Sequence, residues 1–119
     1  MKSRNIVLEG LLKGYSLFCL TKTNELILSK GIFSKDNYAI KKESVINYEV
    51  ITKDSFTNGA SAVVKGGLAS AFLGAPGLLA GLSAKTDNIY WVAIEWKTHA
   101  KSLIEMDDYY YHLLIRTLF

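Results

Sequence analysis

Residues 89–119, "IYWVAIEWKTHAKSLIEMDDYYYHLLIRTLF", decide the fold. The first eight residues, Ile89 to Trp96, are β-branched, aromatic or apolar at almost every position. Such a run fits a strand covered on both faces, and so one near the centre of a sheet. "KTHA" breaks the pattern as a turn, and "KSLIEM" returns as a second strand. "DDYYYHLLIRTLF" then changes period. Tyr110, Leu113, Leu114, Thr117 and Leu118 fall on one stripe at helical spacing. Asp107 or Asp108 can cap that helix, because a carboxylate there accepts bonds from free N–H groups and suits the helix dipole. Trp91 and Trp96 are an odd number of residues apart on one strand and so face opposite sides. One is expected in the core. The other, assigned to Trp96, is expected to be exposed as a partner anchor, with Tyr109 and Tyr111 beside it.

Upstream, short apolar runs alternate with turn residues. "GYSLFCL" and "ELILSKGIF" flank the polar break "TKTN", with Gly31 as a bend or bulge in the second run. "YAIKK" and "ESVINYEVITKD" follow "SKDN". Four short strands at about ten-residue spacing argue for an antiparallel meander. Residues 6–12, "IVLEGLL", fit either a short helix or a lead-in strand. The order is four strands, an insertion, two or three strands, and a closing helix. This is an α+β class: a curved antiparallel sheet, or partly open barrel of six to seven strands, closed by the C-terminal helix.

The insertion spans about 59–84 and includes the uncharged stretch "GGLASAFLGAPGLLAGLSA". Three readings compete for it. As a transmembrane helix it has nearly the required length, but it is rich in Gly and Ala and carries Pro76 in its middle. As a helical hairpin, "APG" forms the turn, Pro76 stands where a helix stops, and the small residues let two backbones approach. As a partner surface, it leaves leucines that so small a domain cannot all hide. The hairpin is the expectation adopted, with Leu68, Phe72, Leu73, Leu78, Leu79 and Leu82 offered to a partner.

The remaining composition narrows the class. With 119 residues, half apolar and 21% charged, the chain 1–119 reads as a single globular domain. The net charge is +3, and the basic residues form no stripe of the sort nucleic-acid binders carry. The single cysteine, Cys19, permits no internal disulfide and lies in an apolar run, as a small buried hydrophobe would. The opening "MKSRNIVLEGLLKGYSLFCL" is interrupted by Glu9 and Lys13 and lacks a small-residue cleavage site, so a signal peptide is not expected and the cytoplasm is.

Chemistry-bearing patterns are sparse. His99 and His112 with one cysteine do not make a zinc site. His112 stands four residues after Asp108, within reach on a helix. No G-x-S-x-G elbow, phosphate-binding loop or dinucleotide fingerprint is present. No catalytic residue, cofactor or metal is expected, and the chain is read as a non-enzyme.

"LTKTNELIL" as a first hairpin, "YAIKKESVINYEV" as strand, turn and strand, and residues 89–119 as a hairpin running into a helix resemble the pleckstrin-homology-like (PH-like) superfold. More narrowly, the chain is similar to small PH-like domains of Gram-positive bacteria, their phages and mobile elements, many of which carry a Gly/Ala-rich insertion before the last hairpin. The resemblance covers about residues 12–119. It implies a protein-interaction role, because such folds host lipid binding, peptide binding and scaffolding alike. The first hairpin offers only Lys22 and, further along, Lys30, which departs from the basic cluster of phosphoinositide-binding members. The expectation is therefore a non-enzymatic module that self-associates as a homo-oligomer or binds a host or regulatory protein. The competing reading is a membrane-associated domain with 59–84 in or on the bilayer.

Overall fold

The computed structural model describes residues 5–20, 22–31, 37–51, 68–72, 81 and 88–119. Seven strands form one antiparallel sheet: β1 (Ile6–Gly10), β2 (Ser16–Leu20), β3 (Glu25–Ser29), β4 (Asn37–Ile40), β5 (Val45–Ile51), β6 (Ile89–Trp96) and β7 (Lys101–Asp107). Helix α1 (Asp108–Leu118) follows β7 directly. The strand order is β4-β3-β2-β1-β7-β6-β5. A four-strand meander and a three-strand meander are thus joined where β1 pairs with β7.

This order forces curvature. β4 and β5 are the two ends of the strand order, yet only residues 41–44 separate them in sequence. Laid flat, six inter-strand gaps would put them roughly 29 Å apart. Five peptide steps can reach roughly 17 Å at most. The sheet therefore curls, and the two edges approach each other at the Lys41–Ser44 turn. There Ser44 Oγ accepts the Lys41 N–H at 3.1 Å and lies 3.0 Å from the Ala39 carbonyl, to which it donates. The Lys97 N–H donates to the Ser44 carbonyl at 3.0 Å, tying this turn to the β6–β7 turn. The α+β class and the curled antiparallel sheet with a C-terminal helix match the sequence expectation and are compatible with a PH-like fold. The ambiguous residues 6–12 supply a strand, β1, rather than a helix.

Two apolar clusters sit on opposite faces of the sheet. Inside the curl, Leu26, Leu28, Ile40, Val92 and Ile104 pack against Leu114 of α1, all fully buried. Burying a side chain such as Leu114 contributes about 1.5–3 kcal/mol. The helix begins where Asp107, in extended backbone, accepts the Tyr110 N–H at 3.0 Å. Asn5 holds that cap from β1's side. Its Oδ1 accepts the Asp107 N–H at 2.9 Å, and its Nδ2 donates to Asp107 Oδ2 at 3.2 Å. On the outer face, Ile51, Trp91, Ala93 and Leu103 are covered by Leu68 and Phe72.

Three expectations change on contact with the structure. Trp96 is not an exposed anchor: it is 6% exposed and belongs to the inner cluster, while Trp91 is buried in the outer one. The odd spacing does put them on opposite faces, but both faces are covered, one by α1 and one by residues 68–72. Leu68 and Phe72 are likewise buried core side chains and not exposed ones, because they cover the outer face of β5–β7. Most of the hairpin expected over 59–84, including Leu73, Leu78, Leu79 and Leu82, lies outside the described residues. Apart from Gly81, its described part is Leu68–Phe72, a five-residue 3-10 helix rather than a turn of α-helix. Among the described residues, no helix is long and apolar enough to cross a membrane.

Candidate functional site: a cleft at the seam of the sheet

Where the two edges approach but do not pair, a cleft of about 450 Å3 opens. Its walls are mostly apolar. Leu11 and Leu12 come from the β1–β2 turn, Tyr38 and Ala39 from β4, and Trp96 from the end of β6. Leu11 and Tyr38 are 45% and 47% exposed, large apolar surfaces to leave in water. The position of each follows from local structure. Gly10, at φ +88°, turns the chain out of β1, and Leu12 at φ +65° completes the reversal. The Leu11 N–H donates to the Lys101 carbonyl at 2.8 Å, and the Leu11 carbonyl accepts from Ser102 Oγ at 2.6 Å. Ser102 Oγ in turn accepts the Trp96 indole N–H at 2.8 Å. The indole's polar edge is therefore satisfied inside, and the Trp96 side chain closes one wall of the cleft.

The polar groups of the cleft are few. Ser44 Oγ is committed to the turn that joins β4 to β5. Lys41, Glu43 and Lys97 also line the cleft. Among the described residues neither lysine meets a carboxylate within ion-pair distance; the lysine pair there is Lys13–Glu9 at 3.3 Å, and His99 and His112 stand 3.4 Å and 3.5 Å from Glu95 and Asp108, contacts that are ionic only with a protonated imidazole. A half-open apolar cleft with ammonium groups and few other polar atoms can hold an apolar or aromatic side chain with an anionic neighbour. Among the described residues that line it, Ser44 Oγ bonds only to backbone groups. Among the described residues no group of three His, Cys, Asp or Glu side chains is placed to hold a metal ion.

The aromatic residues of "DDYYYH" part company at the start of α1. Tyr111 stacks on Tyr90 of β6, with ring centroids 4.1 Å apart and an angle of 11°. The Tyr90 hydroxyl donates to Asp108 Oδ1 at 3.1 Å. Burial raises the Tyr90 pKa, helped by that hydrogen bond and by the negative charge of Asp108. Tyr48 of β5 is raised as well, by burial first and then by Tyr111. Tyr110 turns toward the core and is raised mainly by burial, with Cys19, Asp107 and Tyr109 adding to it. Tyr109 alone of the three stands out, 63% exposed, edge-on to Tyr110 at 5.3 Å.

Of the expected partner residues, then, Tyr109 is at the surface, Tyr111 is half-buried against Tyr90, and Trp96, Leu68 and Phe72 are buried. The cleft residues Leu11, Leu12, Tyr38, Lys41 and Lys97 were not singled out from the sequence. One signal was available: "GLLKG" places two leucines between glycines in a turn, where polar residues are the rule. No protein-family model, curated protein or solved structure matches this chain.

Proposed function

We propose that the chain is a non-enzymatic protein-interaction module, a small PH-like domain of the kind carried by Gram-positive bacteria, their phages and mobile elements, which self-associates or binds a host or regulatory protein. The observation that carries this reading is the seam cleft, with Leu11 and Tyr38 each close to half exposed on an apolar wall. Exposed apolar surface gathered around a concave site favours binding, and aromatic side chains supply much of the energy of such contacts.

Light scattering on the full chain, paired with affinity capture using wild-type and Tyr38→Asp baits, tests the reading. Tyr38 lies on an edge strand, 47% exposed with its ring 5.9 Å from that of Tyr15, and circular dichroism of the variant checks that the fold is kept. The expected result is a mass above one chain, or a specifically captured protein, either of which is lost with Tyr38→Asp. A monomer that captures nothing beyond what the variant captures contradicts the reading.

A further inference from the structure

We infer that the seam cleft receives Tyr109, flanked by Asp108, from a second copy of this chain, so that copies join head to tail. This rests on the interaction-module reading and names the partner.

The two surfaces complement each other in shape class and charge. Tyr109 is 63% exposed and projects from the first turn of α1. It rests edge-on against Tyr110, so little conformational freedom is lost when it docks. Asp108 beside it has a side chain 57% exposed, and its carboxylate retains capacity to accept beyond the Tyr90 hydroxyl and His112. The cleft supplies apolar walls from Leu11, Leu12, Tyr38 and Trp96, and the two ammonium groups of Lys41 and Lys97 outnumber its one carboxylate, Glu43, so it keeps a net positive charge to meet Asp108. A buried aromatic ring with a charged neighbour is the usual composition of an interface anchor.

The topology prevents a chain from filling its own cleft. The cleft lies by the β6–β7 turn, next to the start of β7, whereas Asp108 and Tyr109 follow its end. Seven residues of strand hold the two regions roughly 20 Å apart. Cleft and tip are different patches, so a single contact leaves one free cleft and one free tip, to be filled by further copies or closed reciprocally within a symmetric pair.

Sedimentation velocity of the full chain over a wide concentration range tests this with two surface variants. Lys41→Glu with Lys97→Glu disables the cleft, and Tyr109→Ala disables the tip; all three side chains are exposed. Wild type is expected to grow in mass with concentration. Each variant alone is expected to associate about tenfold or more weakly, as loss of one anchor does. An equimolar mixture of the two is expected to stop at a two-chain complex, because one working cleft and one working tip remain. Variants that assemble like wild type, or a mixture that stays monomeric while wild type assembles, would each overturn the docking of Tyr109 in the cleft and leave the interaction-module reading standing. A wild type that is monomeric throughout overturns the inference too, and the captured-protein arm of the earlier experiment then decides the broader reading on its own.

Discussion

The indole N–H of Trp91 donates to Glu105 Oε1 at 3.1 Å, directly across the β6–β7 ladder, and both residues are buried. A carboxyl group on the outer face of a sheet would ordinarily face water. Here Leu68 and Phe72 cover the face, and Trp91 is one of the polar partners that make the burial tolerable. Gly81 lies against the same indole: a Cβ there would come within 3.1 Å of the Trp91 ring.

Trp91→Phe keeps an aromatic side chain, removes the donor and leaves a small space where the rest of the indole sat. A hydrogen bond to a charged group contributes about 1.5–3 kcal/mol, so a loss of about 2 kcal/mol is expected in urea unfolding. Trp91→Phe combined with Glu105→Leu should recover part of it, since the buried carboxyl group is then no longer short of the indole donor. Equal stability of wild type and Trp91→Phe would show that this bond contributes nothing.

Trp96 gives a second test of the corrected picture. As a core residue bonded to Ser102, its replacement by alanine should cost about 3–5 kcal/mol. Ser102→Ala should cost about 1–3 kcal/mol, because the Trp96 N–H and the Leu11 carbonyl both lose that partner. A surface anchor would behave otherwise: Trp96→Ala would weaken association and leave the unfolding midpoint in place.

Gly10 and Gly14 form a matched pair. Both have positive φ, +88° and +90°. A Cβ on Gly10 would overlap the Lys101 carbonyl oxygen and crowd Phe72, while one on Gly14 meets nothing within 4 Å. Gly14→Ala should cost only the left-handed backbone term, about 1–2 kcal/mol. Gly10→Ala should cost clearly more and disturb the β1–β7 ladder, which amide exchange of β7 would report.

Alkaline pH should destabilise the fold. Tyr48, Tyr90 and Tyr110 have pKa values raised above the ordinary value of about 10. Above that pH the unfolded chain loses phenolic protons that the native chain keeps, so stability falls as pH rises. The contribution is fully present below about pH 10 and is lost as pH climbs through the raised native values. Tyr90→Phe should flatten this fall in a series of urea titrations at rising pH. An unchanged slope would mean that Tyr90 titrates alike in both states.

Much of the sheet was legible because its signals are local. β6 reads from composition alone as a strand covered on both faces, although it lies beside the edge strand β5 and not at the centre, and the β7–α1 junction reads from the change of period after Met106. β1 did not, because Ile6–Gly10 is a strand by virtue of pairing with β7, nearly a hundred residues away. The same limit explains Trp96. Its face follows from spacing, but what covers each face depends on α1 and on residues 68–72, which no local pattern places there. The cleft was hidden for a related reason. Its walls come from three separate turns and an edge strand, brought together only because the sheet curls. Tyr109 was legible as an exposed aromatic beside acids, and its burial state agrees.

The most direct measurement is the sedimentation of the equimolar mixture of Lys41→Glu/Lys97→Glu chains with Tyr109→Ala chains. A two-chain complex from partners that are each monomeric alone is the expected result. Two species that sediment as independent monomers, at concentrations where wild type assembles, would contradict the docking of Tyr109 in the seam cleft.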